Sequence, residues 1–109
     1  MIEIRETAAY ASWFAGLADE RARAKVLIRL RRLSLGNPGD VRPVGRGVSE
    51  LRIDWGPGLR VYFAPRGDSL VVLLGGGDKR TQARDIQRAL DLARRLEKCS
   101  TRSLRTSAR

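Results

Sequence analysis

The stretch from Ser49 to Phe63, SELRIDWGPGLRVYF, leaves the chain few conformational choices. Gly56-Pro57-Gly58 in its middle is a turn signal, because Pro fixes its own φ and Gly on either side tolerates backbone angles other residues avoid. Both arms alternate. Leu51 and Ile53 are apolar between Glu50, Arg52 and Asp54; past the turn, Leu59, Val61 and Phe63 are apolar, with Arg60 and Tyr62 between them. Alternation with period two on both sides of a Gly/Pro turn predicts a β-hairpin with one buried face. If Leu51, Ile53, Val61 and Phe63 face a core, then Arg52, Arg60 and Tyr62 leave together on the opposite face. A rigid sheet carrying two guanidiniums and a phenol suits the handling of phosphate.

The rest of the chain predicts what surrounds the hairpin. Ile2-Glu3-Ile4-Arg5 reads as a short strand. Thr7 is placed to cap a helix in which Tyr10, Trp13, Phe14 and Leu17 recur at helical spacing as core residues. Asp19-Glu20 opens a second helix running to about Leu35, with Val26, Leu27, Leu30 and Leu33 as its buried stripe and acids at the positive end of its dipole. Gly36-Asn37-Pro38-Gly39 stops it. The other side of this helix carries Arg21, Arg23, Lys25, Arg29, Arg31 and Arg32, whose mutual repulsion favours an anionic partner over a merely solvated face. Residues 40–48 form a loop or a short irregular strand. Leu70-Val71-Val72-Leu73-Leu74 is apolar without alternation, as in a strand covered on both faces. It ends in Gly75-Gly76-Gly77-Asp78-Lys79. A third helix starts near Thr81, with Ala83, Ile86, Leu90, Ala93 and Leu96 on one side and Arg84, Arg88, Asp91 and Arg95 on the other.

These elements give the order β-α-α-β-β-β-α: an α+β sandwich in which a mostly antiparallel sheet of about four strands carries the N-terminal helices on one face, followed by a C-terminal helix. The expected domain spans residues 1–97. From Lys98 the sequence KCSTRSLRTSAR has too little apolar content to pack, and a basic disordered tail over 98–109 is expected.

Composition narrows the function. The 109 residues carry 22 Lys+Arg against 12 Asp+Glu, a net charge of +10. That balance points to an anionic partner such as nucleic acid. There is no histidine and one cysteine, Cys99. This removes a zinc site of the usual kind, a Ser-His-Asp or Cys-His unit and any disulfide within the chain, and it fits a reducing, cytoplasmic setting. No cofactor is expected. No apolar run approaches the ~20 residues of a membrane helix, and MIEIRET lacks a signal-peptide pattern.

The glycines before Asp78-Lys79 form neither GxxxxGK[ST] nor GxGxxG, so a nucleotide loop of those types is not expected. A strand-end loop of this kind either lets backbone N–H groups approach a phosphate or is a plain connector. RNA cleavage would use the same residues as follows. The ribose 2′-hydroxyl attacks the adjacent phosphate in line, and charge builds on the non-bridging oxygens. Arg52 and Arg60 would stabilise that charge through their planar, permanently charged forks. With histidine absent, Lys79 and Tyr62 remain for moving or orienting a proton. The competing reading pairs Arg52 and Arg60 with Glu50 and Asp54 across strands. Trp55, at the turn, is either a platform for a base or a lid on the core.

LRRLSLGNPGD, VSELRIDWGPGLRVYF and VVLLGGGDKRTQARDI, in this order and spacing, resemble the addiction-module killer proteins of the RelE/ParE toxin superfamily, close to the HigB-like group. The resemblance covers about residues 1 to 97. It implies a RelE-like sandwich and a type II toxin that cleaves mRNA on the ribosome. The partner would be a helix-turn-helix antitoxin from the same operon, held in a hetero-oligomer. Its matching positions are Arg52, Arg60, Tyr62, Asp78 and Lys79, and with the residue chemistry above catalysis is expected of Arg52, Arg60, Tyr62 and Lys79. RNA binding falls to Arg21, Lys25, Arg29, Arg32, Trp55, Asp78 and Arg80. Lys79-Arg80 stand where some superfamily nucleases have a histidine or tyrosine. The rival readings are a ParE-like inhibitor of DNA gyrase and a nucleic-acid-binding module without catalysis.

Overall fold

The first two helices each begin at a side chain suited to cap them. Thr7 accepts a hydrogen bond from the Tyr10 amide at 3.2 Å, and Asp19 accepts one from the Arg21 amide at 2.9 Å; each satisfies a donor that the first helical turn leaves open. A computed structural model describes residues 1–107, with side chains described as far as Glu97. The elements are β1 (Glu3–Glu6), α1 (Ala8–Ala15), α2 (Glu20–Ser34), β2 (Val41–Gly45), β3 (Val48–Ile53), β4 (Leu59–Arg66), β5 (Leu70–Gly77), a 3₁₀ turn (Lys79–Thr81) and α3 (Gln82–Ser107). Residues 98–107 of the expected tail belong to α3, with side chains outside the described residues, and 108–109 lie outside the described residues altogether.

The strands form one mixed sheet in the order β1-β5-β4-β3-β2. β1 runs parallel to β5, with Ile4 opposite Val71. The other neighbours are antiparallel. The fold is thus α+β with five strands rather than about four. The additional strand is β2, in the stretch where a loop was the other expectation. Pro43 fits there because β2 is an edge strand, with no neighbour waiting for the N–H that proline lacks.

α1 and α2 cover one face. Tyr10, Val26, Leu30 and Leu33 pack there on Leu51, Ile53, Val61 and Phe63. The alternation of the hairpin therefore places its apolar residues as expected. The opposite face is not free. α3 lies across it, setting Ala89 and Ala93 on Val48, Tyr62, Ala64 and Leu74. Val71 and Leu73 enter one layer and Leu74 the other, so the unalternating run of β5 does fill a strand covered on both sides.

The glycine run is strand, not loop. β5 continues to Gly77, opposite Arg60 of β4. A Cβ on Gly76 would collide with the Trp13 indole of α1, and a Cβ on Gly77 would collide with the Asp85 carboxylate of α3. Both helices close on the sheet here because no side chain intervenes. Gly76→Ala should therefore destabilise the fold by roughly 1–3 kcal/mol, the usual cost of forced overpacking. Urea unfolding measures this, and an unchanged midpoint would mean that α1 does not bear on Gly76.

Candidate functional site

Of the residues singled out for catalysis, Arg52, Arg60 and Tyr62 share one face of the sheet, as the alternation requires, while Lys79 lies in the 3₁₀ turn after β5; α3 changes what the three can do. Glu50 pairs with Tyr62 across β3 and β4, and Arg52 with Arg60. Glu50 is fully buried, Tyr62 likewise, and Arg60 nearly so. The Glu50 Oε2 accepts from the Tyr62 hydroxyl at 3.1 Å and from Gln82 Nε2 of α3 at 2.9 Å. The Arg60 Nε stands 3.5 Å from the same oxygen. Arg60 Nη1 donates to the Gly58 carbonyl at 2.6 Å, bracing the hairpin turn. Burial, and then the Glu50 carboxylate, push the Tyr62 phenol well above its ordinary range. Tyr62 is a locked neutral donor, not an exposed proton carrier, and Arg60 is a buried brace. Of the expected trio only Arg52 reaches the margin, half-buried. Of the competing cross-strand pairing, the Arg60–Glu50 contact is present, inside the fold rather than on its surface, and among the described residues no ion pair joins Arg52 to Glu50 or Asp54.

Lys79 and Arg80 are exposed. The Lys79 amide donates to the Pro57 carbonyl at 3.3 Å, so this turn and the hairpin turn meet at one end of the sheet, beside Arg52 and Arg60. Asp78 caps the 3₁₀ turn by accepting from the Arg80 amide at 2.8 Å and from its guanidinium at 2.9 Å. The guanidinium bond is the main reason its carboxyl titrates below the usual range. Asp78 shapes the turn and is not a spare acid.

The expected RNA-binding residues of α2 lie behind the other face. Arg21, Lys25 and Arg32 are exposed there, but Arg29 is consumed. Its guanidinium donates to the carbonyls of Arg52 at 2.5 Å, Pro38 at 3.0 Å and Asp40 at 3.4 Å, pinning α2 to the start of β2 and to β3. Trp55 is a lid rather than a free platform. It packs against the α1–α2 core, its Nε1 donates to Asp19 at 3.4 Å, and the Lys25 ammonium sits 5.6 Å above the ring. Arg29 and Trp55 therefore serve the fold, and only Arg21, Lys25 and Arg32 of the expected α2 set are exposed.

Beside the end of β5 lies a cleft of about 480 Å³ that the sequence did not single out. Ser12 and Trp13 of α1 form one wall, Thr81, Arg84, Asp85 and Arg88 the other, and Gly75–Gly77 the floor. Thr81 donates to Asp85, and Arg84 Nε is 3.7 Å from the same carboxylate. The sequence places Arg84 and Arg88 on the polar side of α3; it carries no sign that α1 stands opposite them. Among the described residues no helix is long and apolar enough to cross a membrane, and no cluster of His, Cys, Asp and Glu has the makings of a metal site.

The chain is an α+β fold with a net charge of +10. Residues 12–98 match the family described as phage-derived protein Gp49-like (DUF891), and the chain belongs to that family, a branch of the RelE/HigB-type toxin superfamily. It is similar to an uncharacterized protein of Haemophilus influenzae, with 47% identity over 95 residues, 87% of this chain and 96% of that one. No solved structure matches significantly.

Because Arg60 is the cation beside a buried carboxylate, Arg60→Ala should cost roughly 3–5 kcal/mol, the usual effect of breaking a buried pair. Loss of function in that variant would then report unfolding, and a wild-type urea midpoint would refute the bracing role. Alkaline pH should act through the phenols. Tyr10, raised by burial to about 12, and Tyr62, raised further, hold their protons in the folded state, while unfolded tyrosines ionise near pH ~10. Their contribution is complete below pH ~10 and is lost above it, because the unfolded chain then binds fewer protons. Melting temperatures measured from pH 8 to 12 should fall more shallowly in Tyr62→Phe than in the wild type; parallel curves would exclude Tyr62 as a source.

Proposed function

We propose that this chain is the toxin of a type II toxin–antitoxin pair and cleaves mRNA held on the ribosome. Membership of the Gp49-like family, within the RelE/HigB-type superfamily, carries this reading. The coarse chemistry agrees, since a net charge of +10 suits an RNA partner. The corresponding neutralising partner is an antitoxin.

On this reading the phosphate contacts come from Arg52 and Lys79, the accessible cations at the end of the sheet. Arg52 places a fork on the non-bridging oxygens as the 2′-oxygen bonds to phosphorus and the P–O5′ bond breaks; the 2′-hydroxyl proton passes to water, and Lys79 supplies a second cation and a proton for the departing 5′-oxygen, leaving a 2′,3′-cyclic phosphate and a 5′-hydroxyl. Arg80 extends the same edge toward the RNA backbone. Arg60 and Tyr62 are positioning residues. Arg60 holds the hairpin turn through Gly58, and Tyr62 and Arg60 share Glu50, which also engages α3 through Gln82. Sparse proton-transfer equipment suits an enzyme whose substrate is already aligned by a larger machine.

The test is a translation reaction with one defined mRNA, read by primer extension, comparing wild type, Arg52→Ala and Lys79→Ala. Cuts should appear only while ribosomes translate. Each variant should cut at least ~10²-fold more slowly, as when one preorganised donor to a developing oxyanion is lost, while keeping its urea midpoint. Intact mRNA beside inhibited gyrase supercoiling would replace this reading with the gyrase one.

A further inference from the structure

β1 pairs with Leu70–Leu73 only, and the chain then turns at Thr7 into α1. β5 runs on to Gly77. Among the described residues no strand pairs with Gly75–Gly77 on the side away from β4. That open edge is the floor of the 480 Å³ cleft between α1 and α3. An unpaired edge is a template for another strand, and proteins normally cover or blunt such edges. This one is recessed between two helices, which keeps other sheets away from it and leaves room for a single extended chain.

We propose that the slot takes an extended, acidic peptide segment of a partner protein as a sixth strand beside Gly75–Gly77, with alternate carboxylates on Arg84 and Arg88. Three features select this occupant. The edge offers backbone donors and acceptors in alternation, which a peptide backbone answers in kind; phosphate groups have no donor for its carbonyls. Arg84 and Arg88 stand on the rim one helical turn apart, about 6 Å along α3, close to the ~6.6 Å between side chains two apart on a strand. Arg88 has no ion pair among the described residues, and Arg84 has only the 3.7 Å approach to Asp85. A second copy of this chain is a poor occupant, because it would set +10 against +10. On the opposite wall Ala9, Ser12 and Trp13 leave space for the alternate, uncharged side chains. Within the function proposed above such a segment would belong to the antitoxin, but the test does not depend on that function.

The probe is a fluorescent peptide with an alternating Glu-Val core, titrated into the full-length protein by anisotropy at near-physiological salt. The controls are a Lys-Val peptide, the Glu-Val peptide with alternate backbone nitrogens methylated, and oligouridylate. The Glu-Val peptide should bind and slow hydrogen exchange at Gly75–Gly77. Backbone methylation should weaken it at least tenfold, and so should Arg88→Glu, an exposed change expected to leave the melting temperature unaltered. Equal binding of the methylated peptide would mean charge alone and would overturn the strand pairing. Protection of Gly75–Gly77 by oligouridylate and not by peptide would make the cleft a nucleic-acid site and overturn the proposal.

Discussion

The Glu50 carboxylate holds the architecture of the site together. A buried carboxylate is unfavourable unless charge and hydrogen bonds meet it. Glu50 draws Tyr62 and Arg60 from β4 and Gln82 from α3 around one oxygen. Its other oxygen, Oε1, and the Arg60 Nε have no hydrogen-bond partner, so the network is under-satisfied in an otherwise apolar layer. Removing any member worsens that deficit. The position of α3 is set by this polar requirement as well as by the packing of Ala89 and Ala93, and the position of α3 decides which hairpin side chains meet solvent.

Charge follows the same division. The cations fall into two sets with different duties. On α2, one cation of the series became a clamp on three carbonyls, and another lies over an indole. At the far end of the sheet Arg52, Lys79 and Arg80 remain accessible, while Arg60 is withdrawn. Basicity in this chain is therefore partly structural, since guanidiniums and an ammonium hold turns and aromatic rings in place as well as shaping the external field.

The hairpin was legible because alternation and a Gly/Pro turn are local signals, and α2 was legible from its caps and stripe. Alternation says which side chains share a face; it does not say whether that face is covered. Glu50, Arg60 and Tyr62 look solvent-facing in sequence because the helix that buries them lies beyond residue 81. Arg29 did leave a trace. It follows Val26 by three residues and precedes Leu33 by four, on the buried stripe, and its charge masked that position. The glycine run was read as a loop because its cause is tertiary: a tryptophan from α1 on one side and an aspartate from α3 on the other. The cleft was invisible for the same reason.

The parallel pairing of β1 with β5 has a temporal meaning. Ile4 meets Val71, and the Thr7 hydroxyl donates to the Leu73 carbonyl at 2.8 Å. The first strand to leave a ribosome thus waits for nearly the last one, and contacts so distant in sequence form late. Strands β2 to β5 are successive neighbours and close locally as they emerge. Until β5 is made, the N-terminal strand has no strand to pair with, and the Thr7 hydroxyl has no Leu73 carbonyl to meet. A protein proposed to attack translating ribosomes is in this way barred from completing its own sheet until β5 has been made.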